Sequence, residues 1–254
     1  MAYKYVCCQR NCMASRFEFD WSSLNRQGLA DFIWALSPKI VNQQLTVDQF
    51  HGMIYRHLRK YIPLRITKTR YKKASSNNVH IGGCYYSTWD QDNQTCIEVS
   101  LLYNLEDRYL KINTRKFYRI CVVIADTILH EVIHMRQFRR RAFKDLPDYP
   151  STARRTSKRE EQSYLGNSDE IDAYGFNIAC ELFNRYDNIK DVVTHLNIDQ
   201  KNKRVRYDEW SMYLKAFDHD HSHPVIKKVK KKVLQYLPNA AIGKPYRNKD
   251  WISY

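Results

Sequence analysis

No run in the chain approaches the roughly 20 consecutive apolar residues that a helix needs to cross a bilayer, so membrane-spanning classes drop out first. Residues Met1 to Cys12 also lack the apolar stretch of a secretory signal, and a cytoplasmic protein is expected. Cysteine supplies no disulfide framework, because the seven residues are odd in number and scattered; reduced thiols are expected. Cys7, Cys8 and Cys12 do cluster, but no matching second pair follows at zinc-finger spacing. Internal repeats and low-complexity tracts are missing too. Acids are few, 27 against 42 lysines and arginines, and the resulting net charge of +15 implies attraction to nucleic acid, an anionic surface or an acidic protein.

The basic residues are unevenly placed. Residues 136–160 hold nine Lys or Arg against three acids, and residues 224–250 hold eight against one. Such clusters draw polyanions, and they also serve as solvated faces that keep a chain soluble.

What is present suffices for one sizeable core, since 43% of the 254 residues are hydrophobic. The expected organisation is an N-terminal helical segment over residues 1–61, a central core over 62–187 and a helical, basic segment over 188–254, all in one compact whole. Residues 22–36 and 46–60 are amphipathic with Ser or Thr available as caps, and Pro38 and Pro63 close them. Strands are expected at 62–73, 79–88 and 96–103, the last two joined as a hairpin through the polar loop 89–94. Within the third strand Ile97, Val99 and Leu101 face one side, and Cys96, Glu98 and Ser100 the other.

Asn113 or Thr114 caps a long helix over about 115–143, with Tyr118, Cys121, Val122, Ala125, Ile128, Leu129 and Val132 as its core stripe. Residues 144–167 then form a loop longer than the ordinary limit of about 12 to 15 residues, which marks it as functional or mobile. Ser168 caps a helix to about Tyr186, and further helices follow near 189–196, 207–217 and 224–237 before a polar tail.

The sharpest signal sits inside the long helix, where His130, Glu131 and His134 form HExxH. Residues four apart share a helix face with Cβ atoms about 5 to 6 Å apart, so two imidazoles can converge on one zinc. Glu131 is rotated off that face and reaches a metal-bound water instead, as a general base. Chance would produce the pattern in a chain of this composition on the order of 2% of the time, which favours the metal reading over a polar turn on a surface helix. Catalytic zinc takes a third protein ligand. The compact HExxHxxGxxH extension fails, because Gln137 and Arg140 occupy its Gly and His positions. Glu170 is the better candidate: it falls in the first turn of the next helix, where Ala173, Asn177 and Cys180 are small residues that allow close helix packing. Asp172 and His195 are the fallback ligands.

Glu170, Ile171, Asp172 and Ala173 are similar to the ExxA motif of gluzincin-type zinc metallopeptidases. The resemblance covers roughly residues 80–183: a strand hairpin, an HExxH helix and a glutamate helix in that order. It implies a zincin-like α+β fold, mostly helical, with a small three-stranded or slightly larger sheet packed on the HExxH helix. It implies zinc on His130, His134 and Glu170, with Glu131 taking a proton from the attacking water and passing it to the leaving amine. A cleft-bordering strand would receive an extended protein or peptide substrate, either 96–102 or the strand carrying Gly82 and Gly83. His219, His221 and His223 offer an oxyanion donor, a second metal site or a polar loop, and Tyr164 and Tyr174 are further oxyanion candidates. The basic clusters suggest substrates that are acidic or associated with nucleic acid. The competing class is a non-catalytic nucleic-acid-binding or virion protein with a structural zinc, and the abundance of Lys, Tyr and Asn resembles phage proteins. A two-metal nuclease would need more carboxylates than the pattern offers.

Overall fold

The computed structural model describes residues 19–72, 74–146, 157–186, 188–198 and 209–240. The Cys7, Cys8 and Cys12 cluster, the middle of the 144–167 segment and the tail after residue 240 lie outside them. In chain order the elements are α1 (Arg26–Trp34), α2 (Ser37–Ile40), β1 (Gln44–Thr46), α3 (Val47–Arg59), β2 (Leu64–Arg70), β3 (Val79–Tyr85), α4 (Ser87–Gln91), β4 (Ile97–Tyr103), β5 (Tyr109–Lys111), α5 (Thr114–Arg140), α6 (Lys158–Gly166), α7 (Ser168–Arg185), α8 (Ile189–Asn197), α9 (Glu209–Ala216) and α10 (Pro224–Tyr236). The chain is α+β and mostly helical, with two small sheets. No helix among the described residues is long and apolar enough to cross a membrane.

The main sheet has the order β2-β4-β3, with β2 parallel and β3 antiparallel to the central β4. Alternation in β4 works as expected: Ile97, Val99 and Leu101 are buried, and Glu98 and Ser100 are half-buried on the other face. Cys96, just before the strand, departs from the pattern and is buried. Opposite residues of an antiparallel pair share a face, so Ile81, Gly83 and Tyr85 lie with Leu101, Val99 and Ile97 toward α5.

Several expectations need correction. Residues 22–36 do not make one helix: a 3-10 turn at Trp21–Ser23 precedes α1, which Asn25 caps. Pro38 opens α2 instead of closing its predecessor, because a proline in the first turn forfeits only an amide that has no helical partner. The 89–94 connection is not simply a polar loop, since α4 fills its first half. Nor is 144–167 irregular throughout. Its second half holds α6, which starts at a capping box between Ser157 and Glu160. A two-stranded antiparallel sheet of β1 and β5 was not foreseen; three-residue strands carry too little alternation to be read from sequence.

Two apolar clusters form, one from residues Trp21 to Met135 and the other from Leu165 to Ala240, and both pack against Leu129. Helix α5 runs through this seam. It packs on α1, β3, β4 and α7, which explains why Phe117, Ile120 and Ile124 are buried in addition to the predicted stripe. Arg26 pins the seam. It is buried, donates from Nη2 to Asp126 Oδ2 of α5 at 2.8 Å, and reaches Asn184 Oδ1 of α7 at 2.9 Å.

Candidate metal centre

His130 and His134 lie on the stretch of α5 that enters the seam, and Glu170 comes to them from the first turn of α7. The three are buried, and one potential ligand atom from each lies within 4.8 Å of the other two. The Nε2 atoms of the histidines are 3.2 Å apart, and His134 Nε2 is 3.8 Å from Glu170 Oε1. Two nitrogens bound tetrahedrally at 2.0 to 2.1 Å stand about 3.4 Å apart, so the donor spacing suits one small divalent ion. Two imidazoles and a carboxylate suit zinc and neighbouring first-row metals alike.

Each histidine is held from behind through its other ring nitrogen. His134 Nδ1 lies 3.0 Å from Gln137 Oε1, which acts as acceptor and leaves Nε2 free to bind a cation. Gln137 in turn donates from Nε2 to Asp172 Oδ2 and to the Asp169 carbonyl, both at 3.2 Å. His130 Nδ1 lies 3.1 Å from the Asn177 amide, which also reaches Glu209 Oε1 at 3.3 Å. The Asn177 oxygen is buried without a partner, and turning the amide over would offer it to an Nδ1–H. Tyr164 hydrogen-bonds Glu170 and Tyr174, and the Tyr174 ring packs edge-on against His130 at 5.1 Å.

Glu131 is buried beside the cluster and is not one of its three members. It accepts a hydrogen bond from the Tyr85 backbone N–H. Burial and the neighbouring Glu170 carboxylate raise its pKa from 4.5 to about 8. Burial and His134 push His130 down to about 3, so its imidazole is neutral at ordinary pH. Burying Glu131 and Glu170 side by side is costly by itself, and a cation would offset that cost.

One edge of the sheet, that of β3, is beside this cluster. Tyr86 N–H bonds the Cys96 carbonyl, so the Tyr85 and Gly83 backbone groups one register step away point off the outer edge of β3. Gly83 itself is exposed. Of the two strand candidates β3 remains; β4 is paired on both sides and cannot accept another strand.

Other candidates go elsewhere. Asp172 is no ligand: Oδ1 takes Lys232 Nζ at 2.7 Å and Tyr236 OH at 3.1 Å. His195 Nδ1 pairs with Tyr186 OH at 2.7 Å on α8. His223 caps α10 and stacks on Phe217, His221 lies against the Trp210 ring, and Asp218 pairs with Lys158. Among the described residues, the His130, His134 and Glu170 group is the only set of three or more metal-binding side chains gathered this closely. Sequence reading missed Gln137 and Asn177 as supports, although both sit one helical turn or so from residues it selected. Comparison of the chain with known protein families, curated proteins and solved structures yields no match.

Proposed function

We propose that the chain is a zinc-dependent metallopeptidase of gluzincin type, with His130, His134 and Glu170 as metal ligands and Glu131 as general base. The observation that carries the reading is the convergence of those three side chains from α5 and α7, with the Glu131 carboxyl beside them but outside the donor set. Bound there, zinc would supply Lewis-acid polarisation of a scissile carbonyl and acidify a water.

The chain's own groups do the rest. Glu131, poised near neutrality, accepts a proton from the attacking water at its carboxylate and returns it to the leaving amine. The outer edge of β3 can hold an extended peptide by main-chain hydrogen bonds at Gly83, while the Tyr85 N–H is taken by Glu131. Gln137 and Asn177 orient the two imidazoles, and Tyr164 orients Glu170. A purely structural zinc site would call for a fourth protein ligand. The cluster contains three among the described residues, and the thiols of Cys84, Cys96, Cys121 and Cys180 are not in it. That favours turnover over a structural role.

The test is elemental analysis of the chain purified without chelator, paired with cleavage of an unfolded protein substrate. One zinc per chain with cleavage abolished by chelator and restored by zinc is expected. A chain that carries zinc yet never cleaves, in acidic or nucleic-acid-associated substrates either, would leave the structural-zinc reading standing.

A further inference from the structure

The fold carries the described parts of the two basic clusters, distant in sequence, onto adjoining helices. On α10, Ile226, Val229 and Val233 are fully buried, which turns Lys227, Lys228 and Lys231 outward as exposed side chains. Helix α10 packs on α7, and Gly175 permits an approach so close that a Cβ there would stand 2.6 Å from Lys232 Cβ. Lys228, Lys232 and Tyr236 are four residues apart and share one flank of α10. Arg136 and Arg140 are likewise four apart and exposed on α5, whose Gln137 donates to Asp172 Oδ2 at 3.2 Å, the carboxylate that α10 holds through Lys232 and Tyr236. The two rows of cations therefore lie on helices that are bridged through Asp172. The carboxylate at that junction, Asp172, is already engaged by Lys232 and Tyr236.

We infer that this face, built from Arg136 and Arg140 of α5 and Lys227, Lys228 and Lys231 of α10, binds the phosphate backbone of nucleic acid. Long cationic side chains in two rows on bridged helices suit a polymer with regularly repeated negative charge, and such contacts need no base recognition. A bilayer fits less well, because the apolar side of α10 is spent in the core and cannot enter lipid. A protein interface would be expected to offer aromatic anchors, and Leu234 is the one exposed large hydrophobic residue of α10.

The experiment is fluorescence anisotropy of the full chain with a labelled 20-base-pair DNA duplex over a series of KCl concentrations. Five phosphate contacts predict an affinity loss of roughly 500-fold between about 50 and 200 mM salt. The Lys227/Lys228/Lys231→Ala variant should lower the log–log salt slope by about 2.7. A second variant, Lys39/Lys72/Lys111→Ala, makes the same change in charge at exposed positions within the other core's part of the chain and should leave the slope unchanged. Thermal melts verify that both variants fold. Equal weakening in the two variants would show that net charge alone is responsible and overturn the assignment. So would displacement of the duplex by polyglutamate at equal charge concentration, which would indicate an acidic-polypeptide site, or no binding at about 50 mM salt. Binding measured on metal-stripped chain should match that of zinc-loaded chain, so the result stands apart from the peptidase reading.

Discussion

A Cβ added at Gly83 would stand 2.5 Å from Glu131 Oε1 and 2.5 Å from Thr127 Cγ2. The strand and the HExxH helix therefore approach each other as closely as they do because one side chain is missing. The carboxylate could swing away, but the β-branched Thr127 has little rotamer freedom on a helix. Gly83→Ala is predicted to cost about 1 to 3 kcal/mol of stability by overpacking and to lower turnover at least tenfold by displacing Glu131. Zinc content should be unchanged, since no ligand is touched; loss of zinc in this variant would count against the assigned division of labour.

Substitutions at the centre should separate ligation from proton transfer. Glu131→Gln should keep its zinc and lose at least 100-fold in cleavage rate, the ordinary contribution of a positioned base. His130→Ala, His134→Ala and Glu170→Ala should each lose zinc. Retention of zinc by Glu170→Ala would remove the third ligand from the proposal.

Gln137 hydrogen-bonds His134 and Asn177 hydrogen-bonds His130, each from behind the ring. Replacing either with Ala should weaken zinc binding by roughly 10- to 100-fold while leaving the fold intact. Competition with a chromophoric chelator reads this directly. Asp172→Asn, one step further back through Gln137, should have a smaller effect on the same assay.

The pH dependence of the metal-stripped chain follows from Glu131. Its folded pKa of about 8 exceeds the ordinary 4.5, so the folded state holds the proton more tightly than the unfolded state. Stability from this group is fully present below the lower value and is lost as pH rises toward the upper one. Below about pH 6.5 the depressed His130 gains stability as pH rises and offsets Glu131, so the melting temperature in chelator should fall mainly between about pH 6.5 and pH 8, by roughly 2 to 4 °C for each kcal/mol lost. Glu131→Gln should lack this component, and zinc should reverse it in the wild type. An identical slope in the variant would assign the pH effect to other groups.

Arg26 ties α1 to α5 and α7, so its contribution is structural. Arg26→Ala would leave Asp126 without its cation and should destabilise the chain by about 3 to 5 kcal/mol, seen as a shift in denaturant midpoint. Arg26→Lys should recover little, because an ammonium cannot reproduce the paired guanidinium bonds to both Asp126 oxygens.

The sequence by itself determined what is local and periodic. The apolar repeat of α5, the Asn113 and Thr46 caps, the alternation in β4 and the HExxH spacing all act over a few residues, and all are found near their expected places. Even α6 had its capping box written at Ser157 and Glu160. Tertiary structure decided whatever depends on which elements meet. It chose Glu170 over Asp172 and His195 as the companion of the histidines, because the two acids leave α7 on different sides, one toward α5's imidazoles and the other toward Lys232. It placed the β3 edge beside the cluster, gave Gln137 and Asn177 partners, and joined α5 to α10 through Asp172. Those outcomes rest on packing between segments tens of residues apart, where no spacing rule in one chain specifies who the neighbour will be.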